Sequence, residues 1–207
     1  MVDHWYIACR SKQLKQKPLA LIILEQRLVL FRDDAGAVGV LADRCAHRNM
    51  ALSRGRVNSD GLQCKYHGWT YDRLGTCVRI PAETPEDACN ATCRIRIPAY
   101  RTVEKQGFIW VYMAQSNIGN GSLTTDIQEP DSLPLDFPMF GERNWQHWVM
   151  EREFDGNAFH CVENFLDCPH TAHVHRKLFR NNESASIELE ITSGSDWVQA
   201  EFLNEEA

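Results

Sequence analysis

No stretch of this 207-residue chain comes near the roughly 18 consecutive apolar residues of a membrane-spanning helix. The start, Met1-Val2-Asp3-His4-Trp5-Tyr6-Ile7-Ala8-Cys9, lacks the basic segment followed by an apolar segment that marks a secretory signal. Neither a membrane protein nor an exported one is expected, and a cytoplasmic location is. Excess positive charge is missing as well. The 22 Lys and Arg face 28 Asp and Glu, a formal net charge of −6, which leaves no basic footprint for nucleic acid. No internal repeat is present. Apolar residues are not scarce: 43% of the chain is hydrophobic and 24% charged, so it can bury the core of one large domain or two small ones. Eight cysteines in so core-rich a chain do not require a disulfide framework, and reduced thiols are expected. Cys9, Cys77, Cys89, Cys93, Cys161 and Cys168 read as ordinary residues that pack like small hydrophobes.

From Trp5 to about Ala114 the pattern is of short apolar runs broken by turn residues. Leu19 to Leu24, Leu28 to Phe31, Val38 to Leu41, Val78 to Ile80 and Phe108 to Tyr112 read as strands. The breaks include Asp33-Asp34-Ala35-Gly36, Asp72-Arg73-Leu74-Gly75 and Gln106-Gly107. The fold class expected is α+β, with a mostly antiparallel β domain over residues 1–114. A linker rich in Ser, Asn, Gly, Thr, Asp and Pro follows over 115–143, and a second domain over 144–207. In that second domain Trp145 to Phe154 reads as a strand. Ala158, Val162, Phe165 and Leu166 recur at helical spacing until Pro169. Ile187, Leu189 and Ile191 alternate with glutamates, and Trp197 to Leu203 reads as a paired strand after a turn at Ser193 to Asp196. So few elements make a poor core, and the second domain reads as incomplete.

Two constellations carry chemistry. Cys45-Ala46-His47, sixteen intervening residues, then Cys64-Lys65-Tyr66-His67 supply two thiols and two imidazoles from two loops. Such a set can bind one tetrahedral zinc, or a [2Fe-2S] cluster with both thiolates on one iron and both imidazoles on the other, the Rieske arrangement. Zinc fingers pair Cys with Cys and His with His, whereas each loop here gives one of each. The second constellation, Glu163 to His175, contains Asn164, Asp167 and His170 in an Asn-x-x-Asp-x-x-His pattern, followed by His175. Two histidines near a helix end, with a carboxylate one turn earlier, suit a facial two-His, one-carboxylate site for Fe(II).

The stretches from Cys45 to Gly55 and from Cys64 to Asp72 resemble the two cluster-binding loops of Rieske non-haem iron oxygenases, and Glu163 to His175 resembles the mononuclear-iron motif of the same family. The resemblance runs from Trp5 through Phe202, and it favours the cluster over zinc. It implies a Rieske [2Fe-2S] domain followed by the first part of a helix-grip catalytic domain. Cys45, His47, Cys64 and His67 would hold the cluster, and His170 and His175 a mononuclear Fe(II). Asp167 would be the bridge for electrons between subunits, contacting a ligand histidine of its own site and His67 of a neighbour; Asn164 would help fill or orient the iron site. His173 fits no family role and reads as structural. Respiratory Rieske proteins carry an extra cysteine in each loop and a serine that donates to a cluster sulfur. Met50, Tyr66 and Trp69 stand at the corresponding positions here, which implies a lower potential.

By the same resemblance, electrons would come from NAD(P)H through a separate reductase, with or without a ferredoxin. O2 and a small organic substrate, aromatic by preference, would meet at the iron, and like subunits would form a trimer. The family's third iron ligand is a carboxylate far downstream, beyond residue 207. Glu188, Glu190, Asp196 and Glu201 match no family ligand. The chain is thus read as a fragment, a truncated product or half of a split enzyme, inactive in oxygenation alone. The rival readings are a Rieske-type electron carrier with a non-catalytic extension, and a zinc-stabilised interaction domain.

Overall fold

The computed structural model describes residues 1–81, 94–117, 127, 129–167, 170–175, 188–195 and 197–203, without the side chains of Ala172, His173 and Phe202. Of the residues singled out above, Cys89, Cys93, Cys168, Pro169, Ile187, Asp196 and the side chain of His173 lie outside the described set. The chain divides into two compact units, Met1–His147 and Trp148–Ala207.

The first unit is built of antiparallel sheets. Strands β2 (Leu19–Ile23), β3 (Gln26–Arg32) and β4 (Val38–Ala42) form one sheet. Strands β5 (Arg56–Asn58), β6 (Gly61–Gln63), β7 (Thr70–Tyr71) and β8 (Cys77–Arg79) form a second. In the third, β10 (Phe108–Met113) lies between β1 (His4–Arg10) and β9 (Thr102–Lys105). Strand β3 explains how the sheets share a core. Its run Leu28-Val29-Leu30-Phe31 is wholly apolar because both faces are covered: Leu28 and Leu30 enter one buried cluster with Ile109, Val111 and Met113, while Val29 and Phe31 enter another with Leu41, Leu62 and Tyr71. Each of these large side chains contributes about 1.5–3 kcal/mol by leaving water. The second cluster matters for function, since Cys45 and Cys64 are members of it.

The segment after β10 is tied back to the third sheet. The Trp5 indole N–H donates to the Ser132 carbonyl at 2.7 Å, and Gln106 accepts from the Phe137 N–H through Oε1 at 2.8 Å. Lys105 Nζ meets the Pro134 carbonyl at 2.7 Å and Asp136 at 2.9 Å, while the Phe137 ring packs on Phe108 and Trp110.

The second unit contains α1 (Ala158–Leu166), α2 (Thr171–Val174) and a hairpin of β11 (Leu189–Ser193) with β12 (Val198–Phe202). Asn157 caps α1 through its side-chain oxygen, which accepts from the Phe159 N–H at 2.8 Å. The helix carries an apolar stripe, yet Phe159, Phe165 and Leu166 are each more than two-thirds exposed, so the stripe is not buried by the described residues. The hairpin matches the alternation of the sequence. Trp145 to Phe154, expected as a strand, is not one: residues 145–154 have no ladder partner among the described residues. Apolar content alone cannot make a strand, because backbone donors and acceptors need a neighbour to pair with.

Candidate metal centres

The two Cys/His loops turn out to be the same turn built twice. In the first, the Cys45 N–H donates to the Met50 carbonyl at 2.9 Å and the Asn49 N–H to the Cys45 carbonyl at 2.8 Å. In the second, the Cys64 N–H donates to the Trp69 carbonyl at 2.8 Å and the Gly68 N–H to the Cys64 carbonyl at 3.1 Å. The fifth residue of each turn has positive φ, Asn49 at 54° and Gly68 at 73°, a conformation that Gly and Asn tolerate best. Each turn buries its cysteine and lifts its histidine: Cys45 and Cys64 are 2% and 3% exposed, whereas His47 and His67 are exposed. The hairpin behind the turns is equally tight. At Gly55 a Cβ would lie 2.0 Å from the Gln63 carbonyl oxygen, so no other residue fits between the short helical turn Leu52–Arg54 and β6.

The two turns converge. The His47 and His67 rings lie 4.6 Å apart by centroid. Trp69 stacks on His47 at 4.9 Å with only 7° between planes, and the Tyr66 ring sits 3.9 Å from that of His67. Burial pushes the Cys64 thiol up, the Tyr66 N–H at 3.5 Å pulls it down, and neighbouring Cys45 pushes it up again. Two buried thiolates side by side repel, and a bound metal's positive charge is what makes such a pair stable. The Tyr71 hydroxyl completes the inner wall. It accepts from the Ala46 N–H at 3.0 Å, which leaves its own proton for Cys45 Sγ at 3.3 Å. Burial, then the adjoining Cys45, drives the Tyr71 hydroxyl pKa far upward, so it stays protonated and can donate. No three His, Cys, Asp or Glu among the described residues are grouped as a single ion would need. Two sulfurs inside and two imidazoles outside supply a pair of donors of each kind, which fits a cluster of two metal atoms.

Tyr71 was not singled out in the sequence, although a signal exists. It stands two residues after Trp69, at the end of the two-residue strand β7, and a fully buried tyrosine needs a partner for its hydroxyl. Tyr71→Phe should leave the cluster in place and lower its potential by on the order of 50 mV, because a hydrogen bond to a ligand sulfur favours the more negative, reduced state. A potentiometric titration followed by visible absorbance reads this, and an unchanged potential would remove Tyr71 from the account.

In the second unit, Asp167 is the C-cap residue of α1, its N–H donating to the Glu163 carbonyl at 3.0 Å. His170 and His175 flank α2 at its two ends, and this single turn brings their rings to 5.4 Å by centroid. His170 Nδ1 hydrogen-bonds the Asp167 carbonyl and lies 3.8 Å from its carboxylate. Asn164 lines an apolar hollow with Phe154, His160, Cys161 and Phe165. Glu190 and Glu201 face each other across the β11/β12 hairpin.

A buried thiol pair beneath an exposed imidazole pair, held by paired turns in an antiparallel β domain, defines a Rieske-type protein. Residues 4–101, just under half of the chain, match the Rieske [2Fe-2S] domain. It is 39% identical over 120 residues to the 3-chlorobenzoate-3,4-dioxygenase oxygenase subunit of Comamonas testosteroni, a match covering 57% of this chain and 27% of that protein. It is 31% identical to the dicamba O-demethylase oxygenase component of Stenotrophomonas maltophilia, over 95% of this chain and 54% of the relative. The crystal structure of dicamba monooxygenase bound to dicamba superposes with a TM-score of 0.76 at 29% identity, over 96% of this chain and 55% of that one. The chain is thus a homologue of oxygenase subunits and components, and it spans about half the length of these relatives or less. Among the described residues no helix is long and apolar enough to cross a membrane.

Proposed function

We propose that this chain is the oxygenase component of a Rieske non-haem iron oxygenase, or its N-terminal part, acting on a small organic molecule by hydroxylation or demethylation. The observation that carries the reading is that the likeness to dicamba monooxygenase extends over 96% of the chain. It therefore includes the second unit, where one short helix brings His170 and His175 together beside Asp167. A Rieske electron carrier needs only the first unit. An aromatic substrate is favoured because relatives are named for 3-chlorobenzoate and dicamba. When bound, the metals supply one-electron transfer at the [2Fe-2S] cluster and O2 activation at a mononuclear Fe(II).

The protein's part is to hold and orient. Residues 1–114 form the cluster domain, 115–143 connect, and 144–207 begin the catalytic domain. Cys45 and Cys64 hold the cluster from the buried side, and His47 and His67 from the exposed side, with Trp69 fixing the His47 ring by stacking. His170 and His175 hold the iron, and Asn164 helps shape its surroundings. Asp167 orients His170 and, across a subunit boundary in a trimer, would reach His67 of the partner subunit. A separate reductase, with or without a ferredoxin, brings electrons from NAD(P)H. A cytoplasmic setting belongs to the same reading, supported by the thiols of Cys9 and Cys161, which form no disulfide among the described residues.

The test is His170→Ala in an enzyme completed by the rest of the catalytic domain. It should lose one iron per chain and its substrate-dependent O2 uptake while keeping the Rieske spectrum. A full iron complement in that variant would mean that the histidine pair holds no iron and would leave the electron-carrier reading.

A further inference from the structure

Charge is distributed unevenly along this acidic chain. Residues 44–80, which contain both metal-binding turns, hold seven Arg and Lys against two Asp, although the whole chain carries −6. Two of these cations are already paired, Arg73 with Asp33 at 3.7 Å and Arg79 with Asp60 at 3.4 Å. Arg54, Arg56 and Lys65 are exposed and have no carboxylate partner among the described residues. They gather around one open hollow of about 540 Å³ whose wall also includes Gln63, Cys64 and Gly68. Arg56 is held in place there, its Nε–H donating to Gln63 Oε1 at 2.8 Å, and its terminal N–H groups remain for an outside partner. The only thiol in this wall is the one assigned above as a cluster ligand.

From this juxtaposition we infer that the Arg54, Arg56 and Lys65 face is where an acidic one-electron iron–sulfur carrier protein docks to reduce the chain. The inference rests on the cluster reading given above. Three exposed cations on an open rim steer an acidic protein and fix its approach, and their effect falls with salt. A small anion is less well served, since the hollow is shallow and lacks the apolar walls that enclose small ligands. The transfer balances simply: one electron leaves the reduced carrier, which becomes oxidised, and enters the oxidised cluster; no bond is made or broken. The potential of a plant-type ferredoxin lies below the Rieske range, so the transfer runs downhill.

The test is calorimetric titration of the full chain with oxidised plant-type [2Fe-2S] ferredoxin, together with stopped-flow reduction of the chain by the reduced carrier. In wild type, raising salt from about 20 mM to about 300 mM should weaken binding and slow reduction by about tenfold or more. The Arg54→Glu and Lys65→Glu variants, made singly and together, should reproduce that loss at low salt with the Rieske absorbance intact, whereas Lys12→Glu, the same charge change elsewhere, should not. Equal affinity and rate in wild type and the paired variant would overturn the docking face. So would saturable binding of inorganic phosphate that these substitutions abolish while ferredoxin is unaffected, which would make the hollow a small-anion site. Loss of the Rieske absorbance in wild type would instead undo the cluster reading beneath the inference.

Discussion

His67→Ala is expected to abolish the Rieske absorbance and paramagnetic signal while leaving the β fold intact. The reason lies in where the side chain sits. His67 is exposed at the tip of the second turn, and its recorded neighbours are the rings of His47 and Tyr66. The turn is closed by backbone bonds from Cys64 and Gly68 that do not involve the imidazole. Truncating a surface side chain of this kind costs little stability, about 0.5 kcal/mol or less. As a ligand, however, it is not replaceable by its surroundings: the exposed edge would admit water where a nitrogen donor is required. Losing a residue that merely supports a metal ligand costs about 10–100-fold in affinity, so losing the ligand itself should reduce cluster content by more than that. Circular dichroism separates this outcome from unfolding. A variant that kept the spectrum would sink the ligand assignment.

Asp167→Asn is expected to leave both metal sites filled and to slow turnover by about a hundredfold or more in the completed enzyme, the scale associated with a misplaced reacting geometry. Asparagine has the same shape, so α1 should still end where it does, and the backbone carbonyl that holds His170 Nδ1 is untouched. What changes is the charge and the acceptor capacity of the group 3.8 Å from that ring. An amide lacks the carboxylate's charge and its second acceptor oxygen, so it would serve poorly in the proposed role of holding one imidazole in its own site and another in the partner subunit. Iron analysis and steady-state O2 uptake measure the two halves of this expectation. Turnover near wild type would show that Asp167 is no bridge.

The parts of the fold that were legible in the sequence are those in which a side-chain pattern is the cause of the structure. The Leu28 to Phe31 run reads as a strand because both of its faces are buried, and Ala158 to Leu166 reads as a helix because of its stripe. The short strands β5, β6 and β7 were not legible. Two or three residues show no period, and their pairing is imposed by the hairpin turn at Asn58 to Gly61 and by the closed Cys64 turn. Strand β1 escaped for a related reason: Trp5-Tyr6-Ile7-Ala8 does not alternate cleanly, since a bulge between Ile7 and Cys9 shifts its register against β10. Trp145 to Phe154 failed in the opposite direction, with apolar residues that no neighbouring strand takes up among the described residues. The four residues read as cluster ligands could be named from type and spacing. The Tyr71 hydroxyl, the Trp69 stack and the likeness of the two turns could not, because each depends on which side chains and backbone groups the fold brings together.

Whether the Cys45, His47, Cys64 and His67 frame holds a cluster is decided by measuring iron, zinc and acid-labile sulfide per chain on anaerobically purified protein, with an electron paramagnetic resonance spectrum after reduction. Two sulfides with two irons in a Rieske-type [2Fe-2S] centre, a rhombic Rieske signal and no zinc are expected. Stoichiometric zinc without sulfide, in a colourless and redox-silent protein, would contradict the cluster assignment.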